Sequence, residues 1–199
     1  MPTVIGIDQS LTNTGIAVLT RGDRIPFLHS VKSEPGQPIE TRVMAIVREI
    51  NRIVGTATGF PDVNPALVVL EGISAGSFGA TTSILELGFL HYLIRTQLTS
   101  QRIPFKVCAP TSLKKFCCGT GGSPKDPVTK QRVMKDLLKN YGVDTNDDNQ
   151  ADAAVLAFVA AGAAGWIEPR NEAQREVLAK LAAGPTKKPR KIRQRQEGV

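Results

Sequence analysis

The sequence predicts one α/β domain built on a mixed sheet. Two observations carry this: three short β-branched runs follow one another near the N-terminus, and apolar patterns of helical and strand length alternate after them. Thr3 to Asp8 and Gly15 to Thr20 are the first two runs. Ser10, Thr12, Asn13 and Thr14, all turn-forming types, join them as a hairpin. A third strand from Ile25 to Val31 completes an antiparallel meander, which the Pro and Gly between Ser33 and Pro38 end. From Ile39 onward Val43, Ile46, Val47, Ile50 and Val54 recur three and four residues apart, which is an amphipathic helix. Ala66 to Leu70 is continuously apolar and of strand length, a buried central strand that ends in Glu71. A Gly- and Ser-rich loop leads to a second helical pattern, Thr82 to Leu98, and Ile103 to Cys108 reads as the fifth strand. Pro110 to Pro127 mixes a basic segment with Gly119, Gly121 and Gly122 and reads as irregular. Helices are predicted over Val128 to Tyr141, Asp148 to Gly162 and Asn171 to Leu181.

A chain of 199 residues suits a single core, over residues 1–165, with a helical extension over 166–185 and a tail over 186–199. Hydrophobic residues make up 41% of it, enough to bury that core. No apolar run reaches the roughly 18 to 20 residues of a membrane span, and no signal-peptide pattern opens the chain. The expectation is therefore a cytoplasmic protein without a membrane partner. Three cysteines without Cys-x-x-Cys spacing and two isolated histidines, His29 and His91, argue against a disulfide framework, a zinc module and a Ser-His-Asp triad. Carboxylates are left to carry any chemistry. Of the net charge of +7, the tail holds +5, from Lys187, Lys188, Arg190, Lys191, Arg193 and Arg195 against Glu197. Such a segment is expected to be disordered, either meeting phosphates or only keeping the chain in solution.

Two acids close strands: Asp8 ends the first and Glu71 ends the buried run. Either one alone also fits a solvent-facing turn residue. A second acidic feature adds to them, because Asp148 and Asp152 are four residues apart and a helix puts both on one face. Capping by Asp147 or Asp148 explains the first charge but not Asp152, one turn inside the helix. A hard cation explains both. Mg²⁺ prefers oxygen ligands, and four acids suit two ions, the arrangement that activates water and stabilises the leaving oxygen in phosphodiester hydrolysis.

Five segments in order carry a resemblance: Gly6-Ile7-Asp8-Gln9-Ser10-Leu11-Thr12-Asn13-Thr14-Gly15, Val68-Val69-Leu70-Glu71, Leu85-Glu86-Leu87-Gly88-Phe89-Leu90, Pro110-Thr111-Ser112-Leu113-Lys114-Lys115-Phe116, and Asp148-Asn149-Gln150-Ala151-Asp152. Together they resemble the RuvC family of Holliday junction resolvases, particularly its phage-encoded members. The resemblance implies a ribonuclease-H-like three-layer domain with a mixed five-stranded sheet. It also implies a homodimer and paired, metal-dependent nicking of four-way DNA junctions in a bacterial cell or phage-infected host. Two Mg²⁺ ions per site are implied, with Mn²⁺ as a substitute.

By position, the resemblance makes Asp8 the bridge between the metals, Glu71 a ligand to one of them, and Asp152 the last acid. The partner of Asp152 is Asn149 by the commoner three-residue spacing, or Asp148 by the four-residue spacing of other branches. Asp148 is preferred as the anionic donor. Lys114, Lys115 and Lys130 match basic positions along the DNA path, where the plain alternative is solvated surface lysines. Phe78 is a candidate wedge at the junction centre, or ordinary packing. Leu87, Leu90 and Leu93 could form a dimer face or face the core of their own chain, since both look alike in sequence. Lys187, Lys188, Arg190 and Lys191 are candidate phosphate contacts. Two other readings stand beside the resolvase: a broader nuclease for flaps and branched DNA, and a noncatalytic binder of branched DNA. The Gly6 to Gly15 segment also resembles the phosphate loop of the sugar-kinase and actin ATPases, but that architecture needs two such domains.

Overall fold

A computed structural model describes residues 1–56, 65–73, 81–123 and 125–184. Phe78 and the basic positions Lys187, Lys188, Arg190 and Lys191 lie outside them. The strands are β1 (Thr3–Asp8), β2 (Asn13–Thr20), β3 (Phe27–Lys32), β4 (Leu67–Glu71) and β5 (Phe105–Cys108). Six helices accompany them: α1 (Ile39–Thr56), α2 (Thr81–Ser100), α3 (Pro110–Cys118), α4 (Lys130–Tyr141), α5 (Asp148–Ala163) and α6 (Glu172–Ala183).

The strands form one sheet in the order β3-β2-β1-β4-β5. The meander is antiparallel, whereas β1, β4 and β5 run parallel, as their helical crossovers require. Both faces of β1 and β4 are covered, and the period of two divides their side chains between two cores. Ile5, Ile7, Val68 and Leu70 pack under α1 and α2, with Ile46, Ile50, Leu90, Ile94 and Leu98. Val4, Leu67 and Val69 face the opposite way, toward the almost wholly apolar α5. Alternation then sends Asp8 and Glu71, the last residues of β1 and β4, to the α5 face. Ile7 pairs with Leu70, so the two acids sit next to each other at the carboxyl ends of parallel neighbours.

Helix α5 lies unusually close to the sheet. A Cβ added at Gly6 would come within 2.1 Å of the Ala153 carbonyl oxygen, and one at Gly15 within 2.1 Å of the Asn149 carbonyl oxygen. Only glycine permits that approach, which brings the start of α5 down onto the strand ends.

Three expectations are corrected. The segment after Pro110 is not irregular from its start: Pro110–Cys118 is a helix, with Pro at its first turn and Gly119 in the left-handed conformation at its C-cap. Leu113, Phe116 and Cys117 are the buried face that stabilises it. The leucines considered for a dimer face also belong elsewhere, because Leu90 is fully buried in the α1–α2 core and Leu87 and Leu93 pack against it. The third strand begins at Phe27 rather than Ile25. Among the described residues no helix is long and apolar enough to cross a membrane.

Candidate active site

One open cavity of about 440 Å³ lies where β1, β4, α3, α4 and α5 meet, lined by Asp8, Glu71, Asp152, Asn149, Lys114 and Lys130 among others. The structure thus gathers six of the residues singled out in the sequence. They come from several local causes: the strand ends deliver Asp8 and Glu71, and the first two turns of α5 deliver Asn149 and Asp152. Helix α3 carries Lys114, and the first residue of α4 is Lys130.

The carboxyls are crowded. Asp8 is 6% exposed, and burial, followed by the nearby charges of Glu71 and Asp152, holds its carboxyl well above the usual range. Burial also raises Glu71, against the lowering effects of a hydrogen bond shared with Asp8 and the charges of Lys114 and Lys130. Asp152 is pushed up to about 7, by burial first and then by Glu71 and Asp148. Three acids that resist ionising together mark a place short of positive charge.

Asp148 is placed differently. It is the first residue of α5, ion-paired with Lys130, and is absent from the cavity wall, where Asn149 stands instead. Lys115 is ion-paired with Glu176 of α6 and does not line the cavity either. The N-cap of α5 is Asp147, whose carboxylate accepts from the Asn149 and Gln150 backbone N–H groups. Its other oxygen accepts from Asn13 Nδ2 at 2.9 Å and the Ser30 hydroxyl at 3.0 Å, which ties the start of the helix to β2 and β3.

Sequence reasoning did not single out Gln9 or the Asn13–Ser30–Asp147 lock. The capping role of Asp147 was open to it, whereas nothing in the sequence pairs Asp147 with Asn13, 134 positions away. Gln9 is 5% exposed and lines the cavity; its Nε2 donates to the Glu71 carbonyl oxygen at 2.6 Å. Its Oε1 is buried without a hydrogen-bond partner among the described residues.

Among the described residues no three or more His, Cys, Asp or Glu side chains form a ready-made metal cage. The donor set still fits a hard divalent cation. It is all oxygen, it is negative and desolvated, and it includes the orphaned Gln9 acceptor. Such ions keep several waters and need only one or two protein carboxylates.

Comparison with known proteins settles the architecture. No protein-family model and no curated protein matches the chain. Solved structures do. Thermus thermophilus RuvC superimposes with a TM-score of 0.64 at 19% identity, over 84% of this chain and 99% of that one. The chain has the ribonuclease-H-like fold of RuvC. Thermus thermophilus RuvC in complex with Holliday junction substrate gives 0.60 at 19% identity, over 79% of this chain and 90% of that one. The yeast mitochondrial Holliday junction resolvase Ydc2 gives 0.54 at 13% identity, over 89% and 80%. The RuvC-like fold expected from the five segments is therefore borne out.

Proposed function

We propose that this chain is a divalent-metal-dependent endodeoxyribonuclease that resolves four-way DNA junctions as a homodimer. The observation that carries the reading is the cavity in which three crowded acids from β1, β4 and α5 face two lysines. Solved structures of the same fold are Holliday junction resolvases, one of them with its junction bound.

Asp8, Glu71 and Asp152, with Asn149 beside them, would hold the metal; Asp148, paired with Lys130, stands one step outside. The bound cations, Mg²⁺ or Mn²⁺, supply activation of water and charge stabilisation at the leaving oxygen. The protein's own groups bring the phosphate there. Lys114 and Lys130 offset the negative charge of the scissile phosphate, and Gln9 fixes the Glu71 main chain and hence the carboxyl that follows from it. In the hydrolysis a water oxygen bonds to phosphorus, the bond from phosphorus to one strand oxygen breaks, and that oxygen leaves with a proton.

For the dimer, α2 offers a face that its own core does not use. Leu85, Phe89 and Tyr92 are 68%, 48% and 63% exposed and stand at spacings of four and three, along one side of the helix. Gly88 lies between them with open space around it. A twofold pairing there would supply the two active sites that symmetric nicks require.

The test incubates purified protein with a synthetic mobile four-way junction, a flap and a matched duplex, in Mg²⁺ and in EDTA, beside Asp8→Asn. Paired nicks confined to the junction, lost in EDTA and in the variant while binding persists, are expected. Tight binding without cleavage under any metal would replace the enzyme with a noncatalytic binder, and equal cutting of flaps would widen the substrate class.

A further inference from the structure

Lys130 lines the catalytic cavity, and its ammonium is ion-paired with Asp148, which does not line it. Three ordinary roles fail to account for Asp148. It does not cap α5, because the backbone N–H groups of Asn149 and Gln150 donate to Asp147. It adds little to stability: the Lys130 side chain is 67% exposed and that of Asp148 33%, and exposed pairs of this kind are close to neutral. It does not stand among the metal donors, since neighbours on a helix point about 100° apart and Asn149 holds the place on the cavity wall. What the pair does fix is the ammonium. Lysine carries its charge on a flexible four-carbon stem, which costs rotamer entropy to hold still. Lys114, the other lysine of the cavity, rises from the middle of α3 and is in no ion pair among the described residues. Lys130 instead follows the connection that contains Gly119 and Gly122, both at positive φ, and its tether reaches α5, the helix that carries Asp152. Burial is the largest influence on the carboxyls of Asp8, Glu71 and Asp152 and raises all three; the charge of Lys130 opposes it in each.

The geometry points to Asp148 as a positioning residue, which holds the Lys130 ammonium at the cavity so that it meets the scissile phosphate. The atoms allow both contacts at once. An ammonium has three N–H donors; one goes to the Asp148 carboxylate, and two remain for phosphate oxygens. Asp148 and Asp152 stand one helical turn apart on α5, so the cation is registered to the same rigid element as the acid. This deepens the nuclease reading and rests on it for the phosphate. It also divides the two acids of α5 by task, Asp152 to the metal and Asp148 to the lysine.

The experiment compares the full-length wild type with Asp148→Asn, Asp148→Glu, Lys130→Gln and the double variant Asp148→Asn/Lys130→Gln. Titration with Mg²⁺ in the absence of DNA, read by the melting temperature, comes first: Asp148→Asn responds as the wild type does, whereas Asp152→Asn does not. Single-turnover nicking at saturating junction follows, because saturation removes the effect of a lost negative charge on DNA affinity. There Asp148→Asn slows nicking by about tenfold to a hundredfold, the size of effect that an ångström of misplacement produces. Asp148→Glu restores part of the rate. Once Lys130 is Gln, Asp148→Asn costs nothing further, because Asp148 acts through that lysine. A lost Mg²⁺ response in Asp148→Asn, or equal losses of rate in the two backgrounds, overturns the proposal. A wild type that nicks no DNA defeats the nuclease reading and takes the phosphate role of Lys130 with it, an outcome distinct from equal losses in an active enzyme.

Discussion

At the scale of single residues, the cavity acids set up a conflict between stability and function. Asp152 has a folded-state value of about 7, against 3.8 for the unfolded chain. A carboxyl raised in the folded state keeps its proton there over a pH range in which the unfolded chain has lost it. Its relative stabilisation is present below the unfolded value and is lost as pH rises through the window from about 4 to 7. With metal chelated, the protein is thus expected to be less stable at pH 8 than at pH 5.5. Asp152→Asn should remove about 2 kcal/mol of that decline, from the roughly 1.5 pH units between 5.5 and 7 at about 1.4 kcal/mol per unit. Adding Mg²⁺ should raise the melting temperature of the wild type and leave that of the variant nearly unmoved. Thermal denaturation at the two pH values, with EDTA and with Mg²⁺, checks both statements; an equal Mg²⁺ response in the variant would count against Asp152 as a ligand. Asp147 works in the opposite sense. Burial raises its carboxyl, but hydrogen bonds from Asn13, the Gln150 backbone N–H, Ser30 and the Asn149 backbone N–H outweigh that and hold it below the ordinary range. Asp147→Ala should cost about 1 to 2 kcal/mol at neutral pH from the lost cap alone, measured by urea unfolding. The deficit should shrink in acid, where the wild-type carboxylate is itself protonated.

At the scale of elements, the site depends on how closely α5 approaches β1 and β2. Gly15→Ala would put a methyl group against the Asn149 main chain, a backbone atom that cannot swing aside. The expected cost is about 1 to 3 kcal/mol of stability, as for other overpacked interfaces, with a larger loss of nicking because Asn149 and Asp152 move together. Urea unfolding and initial cleavage rates, compared in the same variant, separate the two effects. That close approach also explains what was legible beforehand. Short β-branched and apolar runs marked the five strands, spacings of three and four marked the helices other than α3, and the strand-end positions of Asp8 and Glu71 marked two of the site residues, because these patterns are local. Helix α3 was missed since its nine residues are too few to show a period beside the glycines that follow it. Asp148 and Asn149 could not be ranked, because neighbours on a helix point about 100° apart and either direction lies near Asp152. Only the seating of α5, set by Gly6 and Gly15, puts Asn149 on the cavity wall and leaves Asp148 to Lys130.

At the scale of the whole molecule, the proposed dimer would have α2 serve two partners. Leu90, Ile94 and Leu98 face the sheet, while Leu85, Phe89 and Tyr92 face outward, so the helix is apolar on both sides and sequence periodicity alone cannot assign either. Large aromatic side chains left exposed together on one helix are the feature that separates an interface from scattered surface residues. The dimer reading therefore makes a demand on Phe89 and Tyr92 that the core does not. Phe89→Glu/Tyr92→Glu should leave the protomer folded, since neither side chain belongs to the buried set. Losing the burial of two aromatics and placing like charges across a twofold axis should weaken association by at least about a hundredfold, since each buried aromatic is worth roughly 1.5 to 3 kcal/mol. Sedimentation velocity should then show the wild type as a dimer and the variant as a monomer at the same micromolar concentration. Cleavage should change in kind as well as in amount: each protomer keeps its acids and lysines, so single nicks persist, but the second nick no longer follows within the lifetime of one complex. On a supercoiled cruciform plasmid this appears as accumulation of the nicked circle at the expense of the linear product. A wild type that sediments as a monomer with and without junction DNA, yet still linearises the plasmid, would remove the twofold pairing from the mechanism and leave the exposed face of α2 without that role.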